Sequence, residues 1–368
     1  MKKLAFGLMR LPMTNDGKEI DISRVCDMTD TFISNGFTYF DTAAPYHGGK
    51  SEEIFKLAVS QRYPRDAYTV TDKLSLFMIE KAEDMQGFFD SQLEKLGVDY
   101  VDLYLVHSLS EKSYEKAQQF GAFEFAQKLK AEGRVKHVGF SFHDTAEVLD
   151  KILTEHPEAE CVQLQINYLD WEDDGVQSRK CYEVARKHGK PVLVMEPVKG
   201  GALVDISNEA KELMKQKEPS LSVPSWAIRF AASLDGVEMV LSGMSDEEQM
   251  ADNISYMKDF KPLTEEEFDL VLKCAEIVRN DITIKCTACR YCVDDCPMNI
   301  AIPEYFRIYN DYKRFGIPKA NTYRGQYNAL LKEHGAASAC IECGMCEEHC
   351  PQKLPVRELL KSVSDMLD

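Results

Sequence analysis

The sequence lacks several features that would assign it to a common class of protein. No run of about eighteen apolar residues occurs, so we expect no segment that spans a membrane. Basic residues are outnumbered, 44 to 61, and the net charge of −17 argues against a nucleic-acid or anionic-membrane surface. The start of the chain contains no apolar stretch long enough for a secretory signal. We therefore expect a cytoplasmic protein with no nucleic-acid partner.

Cysteine, in contrast, is abundant, with twelve residues in the chain. Two stretches, 286–297 and 340–351, share the pattern C-x-x-C-x-x-C-x-x-x-C-P. This pattern is typical of bacterial iron–sulfur proteins, in which the fourth cysteine of each run binds the other cluster. It predicts two [4Fe–4S] clusters, one bound by Cys286, Cys289, Cys292 and Cys350 and the other by Cys340, Cys343, Cys346 and Cys296.

Two other roles for these cysteines stay open from the residues alone. Zinc is bound by two Cys-x-x-Cys pairs, but that arrangement leaves one cysteine of each run unused and needs neither proline. Disulfides are disfavoured because no secretory signal is found. The remaining cysteines are scattered, and we expect them to be buried thiols: Cys26, Cys161, Cys181 and Cys274.

Before residue 285, runs typical of strands alternate with amphipathic stretches typical of helices. The predicted strands are Ala5–Leu8, Thr38–Thr42, Tyr68–Thr71, Val101–Val106, Lys136–Phe140, Val162–Ile166, Val192–Met195 and Val237–Leu241. The predicted helices are Ile22–Ser34, Ser51–Gln61, Ile79–Leu96, Tyr114–Ala131, Ala146–Glu155, Gln177–His188 and one that begins at Asp246. This alternation predicts an α/β protein with a (β/α)₈ TIM barrel. An open doubly wound sheet is the alternative, although no G-x-G-x-x-G follows a strand.

In such a barrel, catalytic residues lie at the carboxyl ends of the strands. Polar residues take this position on successive predicted strands: Asp41, Lys73 and His107, with Tyr46 in the loop after Asp41. A lysine ammonium favours the phenolate and is expected to lower the pKa of the tyrosine, while an aspartate compensates the lysine charge. The histidine can orient a carbonyl oxygen. The set therefore predicts protonation of an alkoxide as a hydride reaches its carbon.

These residues resemble the aldo-keto reductase superfamily. The resemblance rests on G-L-M-R-L-P near the start, F-D-T-A-A-P-Y-H-G-G-K-S-E-E at 40–53, T-D-K at 71–73, L-V-H at 105–107, G-F-S-F at 139–142, V-Q-L-Q-I-N-Y at 162–168 and L-S-G-M-S-D-E-E-Q-M-A-D-N at 241–253. It implies a TIM barrel that binds a nicotinamide cofactor across the strand ends. It also implies that Tyr46 is the general acid/base, with Lys73, Asp41 and His107 in support.

The resemblance extends to residues expected around the cofactor. It implies Ser141 and Gln165 at the nicotinamide carboxamide, and Gly243, Met244, Gln249 and Asn253 around the adenosine end. The pattern departs where Phe142 replaces an asparagine and Met195 stands where a tyrosine often stacks on nicotinamide. Gly243 and Gln249 also replace the lysine and arginine that pair with a 2′-phosphate, and the acidic stretch 246–248 would repel that phosphate. We therefore expect NAD(H) rather than NADP(H).

A barrel of this kind followed by two cubane motifs resembles a bacterial and archaeal subgroup of oxidoreductases. Its C-terminal part looks like a small α-helical ferredoxin. We expect the barrel at residues 1–262, a connecting helix at 263–284 and the ferredoxin-like domain with both clusters at 285–368. The aromatic residues of 302–315 and 322–334 are expected to pack around the clusters or against the barrel.

A hydride carries two electrons, whereas a cubane usually accepts one; a flavin handles both and is a further candidate cofactor. The first hypothesis is a carbonyl–alcohol oxidoreductase whose clusters exchange electrons with an external carrier of the ferredoxin or flavodoxin type. The second keeps this reaction but gives the clusters a structural or oxygen-sensing role. The third is a non-catalytic electron-transfer subunit, which the intact catalytic set disfavours. The substrate would be a small carbonyl or alcohol, with His47 and Trp171 as candidate contacts.

Overall fold

The computed structural model describes residues 2–315 and 320–368. Met1 and residues 316–319, which fall in the predicted domains 1–262 and 285–368, lie outside the described residues. Eight parallel strands pair in chain order and close into a barrel. They are β1 (Leu4–Gly7), β2 (Tyr39–Asp41), β3 (Thr69–Leu74), β4 (Val101–Leu109), β5 (Val135–Phe142), β6 (Cys161–Gln165), β7 (Val192–Met195) and β8 (Val237–Ser242). The predicted (β/α)₈ barrel is therefore confirmed and the open sheet is wrong.

The helices of the described residues surround the barrel and continue beyond it. They are α1 (Ile22–Ser34), α2 (Ser51–Phe55), α3 (Asp84–Leu96), α4 (Glu111–Phe120), α5 (Ala122–Ala131), α6 (Ala146–Glu155), α7 (Ser178–Lys187), α8 (Asn208–Lys217), α9 (Val223–Ser233), α10 (Glu247–Met257), α11 (Glu265–Asp281), α12 (Ile302–Phe315), α13 (Ala320–Leu330), α14 (Met345–Glu348) and α15 (Val356–Leu367). Within the described part of the chain, no helix is both long and apolar enough to cross a membrane.

Local residues explain where these helices differ from the predicted ones. The predicted helix Tyr114–Ala131 is two helices, because Gly121 adopts φ 62° and ends α4 with a left-handed cap. The predicted helix Ile79–Leu96 begins only at Asp84, after a short 3₁₀ turn at Leu76–Met78. Helices α8 and α9 were not predicted, although Ser222 caps α9 and a proline follows in its first turn.

The main hydrophobic core lies between the barrel and its helices, and it includes a cluster of phenylalanine rings at Phe6, Phe32, Phe37, Phe40 and Phe55. Buried residues of α11, among them Val271 and Val278, belong to this same core. The predicted connecting stretch therefore packs as part of the barrel's outer layer. Of the scattered cysteines, Cys161, Cys181 and Cys274 are buried as expected, whereas Cys26 is only half-buried.

The residues after α11 form a second, smaller core. Helices α12, α13 and α15 bring together Tyr305, Phe306, Tyr327 and Leu360. The Tyr305 and Tyr327 rings lie 4.6 Å apart, and the Tyr305 hydroxyl donates to the Gly335 carbonyl. Several of the predicted aromatic residues thus build the core of their own domain.

Candidate active site

The predicted acid site is assembled at the carboxyl end of the barrel. Lys73 on β3 donates from Nζ to Asp41 Oδ2 at 2.7 Å and to the Thr42 carbonyl at 2.8 Å. The same ammonium lies 3.3 Å from the Tyr46 hydroxyl oxygen. Lys73 and Asp41 are almost fully buried, and Gln163 donates to the second oxygen of Asp41 at 3.2 Å. These contacts fix the ammonium beside the phenol.

Tyr46 is held by a tight turn that follows β2. His47 adopts φ 52°, and its Nε2 accepts the backbone N–H of Leu11 at 3.0 Å. The Thr42 and Ser51 hydroxyls lie 2.8 Å apart beneath the turn. His47 is therefore an anchor of the turn. Trp171, the other candidate substrate contact, packs between the rings of Tyr182 and Phe230, so neither residue has the predicted place in the site.

The electrostatics of Tyr46 differ from the sequence prediction. Burial raises the pKa of Tyr46 well above its ordinary value, and the charge of Asp41 acts in the same direction. The predicted lowering of this pKa is wrong, because burial of the phenol outweighs the effect of the Lys73 ammonium, which is itself paired with Asp41. A phenol that stays protonated at neutral pH retains the proton that an acid must donate.

His107 on β4 faces Tyr46, with the two rings 6.2 Å apart and nearly perpendicular. Burial lowers the pKa of His107 well below its ordinary value, and the Lys73 charge adds to this, so the imidazole is neutral. Its Nδ1 lies 2.6 Å from the Ser75 hydroxyl oxygen. When Ser75 donates this hydrogen bond, Nε2 carries the ring proton and can donate to a carbonyl oxygen.

A cavity of about 370 Å³ opens over these residues. The barrel contributes the acid site and the ends of β5 to β8, and the C-terminal domain contributes the opposite wall. Its polar and ionisable lining residues include Arg10, Asp41, Tyr46, His107, Ser141, His143, Gln163, Gln165, Glu196, Gln249, Asn253, Cys289, Tyr291 and Gln352. The cavity is therefore shared by the barrel and the first cysteine run.

Several cavity residues were missed from the sequence. Tyr291, inside the first cysteine run, is half-buried and lines the cavity, and desolvation raises its pKa well above the ordinary value. Glu196 follows β7 with φ 55°, its Oε2 has no hydrogen-bond partner in the described part of the chain, and burial raises its pKa. Gln352 comes directly after the second Cys-Pro. In the sequence, the only signal for these residues is that each lies close to a cysteine run or to the end of a strand.

The predicted cofactor residues separate into two groups. Ser141 accepts the Ser108 backbone N–H at 2.7 Å, and Gln165 pairs with Gln352. Both line the cavity, together with Gly243, Gln249 and Asn253. Met244 is buried and does not line it.

The predicted adenosine end of the cavity includes the acidic stretch 246–248, on which the expected preference for NAD(H) rests. Asp246 caps α10 by accepting the Gln249 backbone N–H at 2.8 Å, and Glu247 is paired with Arg24. Two of the three acidic residues therefore have structural partners, so they repel a 2′-phosphate less than the sequence suggested. Ser245, Gln249 and Asn253 border the open cavity at this end, and the Gln249 and Asn253 amides already donate to Asp246 and Ser242. At the other end Gln165 fits a carboxamide, but it is already engaged.

The two cysteine runs converge as two sets. Burial is the main cause that raises the pKa of Cys292, and the charges of Cys289, Cys286 and Cys350 add to it. Burial likewise raises the pKa of Cys346 to about 11, with contributions from Glu347 and then Cys340, Cys343 and Cys296. These groupings have the same members as the predicted ligand sets, and their donors suit iron–sulfur clusters.

The cysteine sets are not arranged as ligands of one metal ion. Within residues 2–315 and 320–368, no group of three or more His, Cys, Asp or Glu side chains is placed to hold a single ion. Each cysteine of a four-iron cluster binds a different iron, so this finding is compatible with the two cysteine sets.

Comparison with known proteins identifies both parts of the chain. Residues 3–276 match the Aldo/keto reductase family, and residues 285–354 match a 4Fe-4S dicluster domain. L-Galactose dehydrogenase of Arabidopsis thaliana is 23% identical over 62% of this chain and 76% of its own length. The NADH-specific methylglyoxal reductase of Escherichia coli is 22% identical over 60% of this chain and 78% of its own length.

Solved structures show the same barrel. An aldo-keto reductase from Klebsiella pneumoniae in complex with NADPH superposes with a TM-score of 0.59 at 19% identity. The match covers 75% of this chain and 91% of that chain. The fold is therefore shared, and the ferredoxin-like part lies beyond it.

Proposed function

Because the chain belongs to the aldo/keto reductase family and carries a 4Fe-4S dicluster domain, we propose that it interconverts a carbonyl and an alcohol and couples this reaction to its clusters. One observation carries the proposal. Cys289 and Tyr291 line the same cavity as Asp41, Tyr46 and His107. A cluster bound by the first run would therefore border the space in which the substrate reacts.

Tyr46 acts as the proton donor in the direction of reduction. Its raised pKa keeps the phenol protonated until negative charge develops on the substrate oxygen. Lys73, 3.3 Å away, then stabilises the phenolate that is left, and Asp41 holds the ammonium in place. The neutral His107 donates to the same oxygen and orients the carbonyl. In the direction of oxidation Tyr46 takes the proton back.

A nicotinamide dinucleotide bound in the cavity would supply or accept the hydride. Gln249 and Asn253 would border its adenosine half, and Ser141 and Gln165 its carboxamide. We retain NAD(H) as the preferred form, because Gly243 and Gln249 supply no cation for a 2′-phosphate and Glu248 directly precedes Gln249. Arg10, which packs against Gly243, is already bonded to the Thr287 carbonyl and paired with Glu196. A flavin is the alternative redox group, since it exchanges electrons singly and in pairs.

Two [4Fe–4S] clusters that accept one electron each can together hold the two electrons of a hydride, whose proton would be released to water, and a flavin in the cavity would pass these electrons on one at a time. The second set reaches the surface, because Cys343 is exposed and is flanked by Ile341 and Met345, which are 60% and 40% exposed. This surface suits a protein carrier of the ferredoxin or flavodoxin type. Such clusters survive where oxygen is scarce, and a cytoplasmic location is part of the proposal.

The coupling is tested on anaerobically purified protein that is first assayed for iron and sulfide. Reduced methyl viologen or a reduced ferredoxin serves as the electron donor, and a panel of small carbonyls, including methylglyoxal, serves as the acceptor in the presence of NAD⁺. The Cys340→Ser, Cys343→Ser double variant should lose acceptor reduction, because the outer set can no longer bind its cluster.

The Cys26→Ser variant is the matched control, since Cys26 lies in neither set, and it should retain the wild-type rate. If the double variant reduced the acceptor as fast as wild type, the clusters would have only a structural or sensing role.

A further inference from the structure

One contact places a residue of the C-terminal domain at the mouth of the barrel. Gln352 follows Cys350 and Pro351, and its carboxamide pairs reciprocally with that of Gln165 on β6. Gln352 Nε2 donates to Gln165 Oε1 at 2.7 Å, and Gln165 Nε2 lies 3.0 Å from Gln352 Oε1. Gln352 is 7% exposed and Gln165 is 5% exposed. The two amides therefore satisfy each other away from solvent.

A buried ion pair reinforces this contact. Lys199 Nζ donates to Gln352 Oε1 at 2.9 Å and to both oxygens of Asp170, at 2.7 and 2.8 Å. Asp170 also accepts from Gln165 at 2.8 Å and from Asn167 at 2.8 Å. Lys199 and Asp170 are at most 1% exposed. Gln352 thus completes a network that the barrel has already built.

We propose that Gln352 competes with the nicotinamide carboxamide for Gln165, and so sets the affinity and selectivity of the cavity for dinucleotides. A primary carboxamide carries one acceptor oxygen and two N–H donors, and the Gln352 side chain presents this same group. Gln165 cannot serve both partners with the same atoms. This inference rests on the nicotinamide part of the proposed function.

The competition has a measurable consequence. A nicotinamide must exchange places with Gln352, so the free energy of the Gln352 contact is subtracted from the binding free energy. An adenosine-containing ligand without nicotinamide does not meet this competition, because its contacts lie toward Gln249 and Asn253. Removal of the Gln352 side chain should therefore tighten NADH binding about tenfold, as the net value of the lost hydrogen bonds implies.

The test measures dissociation constants of NADH, NADPH and ADP-ribose by anaerobic titration calorimetry on iron-loaded wild-type, Gln352→Ala and Gln352→Ser proteins. NADH should bind about tenfold more tightly to both variants than to wild type, whereas ADP-ribose should bind all three alike. Lys353→Ala is the matched control. Lys353 is next to Gln352 in the chain and contacts Asp144, which follows β5 of the barrel. This variant therefore loosens the segment without freeing Gln165 and should bind NADH as wild type does.

Equal NADH affinities for wild type and both Gln352 variants would overturn the inference and leave the proposed function standing. Tighter binding of ADP-ribose as well, or tighter NADH binding in Lys353→Ala, would also overturn it, because general loosening of the domain would then explain the gain. If no form bound NADH or NADPH, the nicotinamide part of the proposed function would fail together with the inference.

Discussion

The barrel mouth and the cysteine runs hold their functional side chains in opposite ways. Asp41 and Lys73 lie on strands that are hydrogen-bonded on both sides, and each side chain has its own buried partners. The cysteine runs lie on turns, with Ala288, Arg290 and Glu342 at φ 51°, 69° and 57°. Regular backbone pairing therefore preorganises the barrel site, whereas the cysteine sites depend on what the thiols bind.

Removal of iron should separate the two regions most strongly. Anaerobic treatment with ferricyanide and EDTA is expected to make residues 285–368 far more sensitive to proteolysis, because metal binding contributes to the folding of such small domains. The barrel, with its own core and site, should stay protease-resistant. Limited proteolysis with mass spectrometry measures both. A C-terminal domain that stayed equally resistant without iron would show that its hydrophobic core suffices.

The next largest effect concerns two tyrosines that face one cavity from different regions. Tyr46→Phe should lower kcat for carbonyl reduction by about 10²- to 10⁴-fold, the usual contribution of a positioned acid. Tyr291→Phe is the matched control, since it removes a tyrosine hydroxyl from the same cavity but on the side of the cysteine run, and it should retain most of the activity. Steady-state kinetics decide, and comparable losses in the two variants would contradict the role given to Tyr46.

A third expectation concerns the buried ion pair under the contact between the regions. Lys199→Met leaves Asp170 buried without its ammonium, and the free energy of unfolding should fall by about 3–5 kcal/mol. Lys112→Met removes an exposed ion pair with Glu348, so it should change stability little. Urea unfolding, followed at both regions, compares the variants. Equal effects would mean that burial of the Lys199 pair has no energetic consequence.

Two adjacent glycines test how closely the regions must approach. A Cβ on Gly200 would lie 2.0 Å from the Thr287 carbonyl oxygen of the first cysteine run, whereas a Cβ on Gly201 would meet nothing within 4 Å. Both residues have positive φ, so alanine strains the backbone at either place. Gly200→Ala should lower the thermal midpoint more than Gly201→Ala and should lower iron retention. Equal losses would show that only backbone strain is involved.

The two regions also differ in how much the sequence could predict. Hydrophobic periodicity located all the strands, and their order brought Asp41, Lys73 and His107 together, because parallel strands end at the same edge. It could not predict the reversed pKa shift of Tyr46, which depends on how deeply the phenol is buried. It also missed Tyr291 and Gln352, since their role depends on how the C-terminal domain docks, and no periodic pattern encodes that contact.

The smallest expected effect lies beneath the barrel site. Asp72 and Glu52 are fully buried, and burial followed by the Glu52 charge raises the pKa of Asp72 well above its ordinary value. An acid whose pKa is raised on folding stabilises the protein below its unfolded pKa, and this stability is lost as pH rises through the folded pKa. Asp72→Asn removes that loss, so the variant should become more stable than wild type as pH increases, with a slope of at most about 1.4 kcal/mol per pH unit. Thermal midpoints recorded from acidic to alkaline pH measure this, with Asp66→Asn at an exposed carboxyl as the control. Parallel curves for wild type and Asp72→Asn would show that the buried carboxyl pair does not titrate with folding.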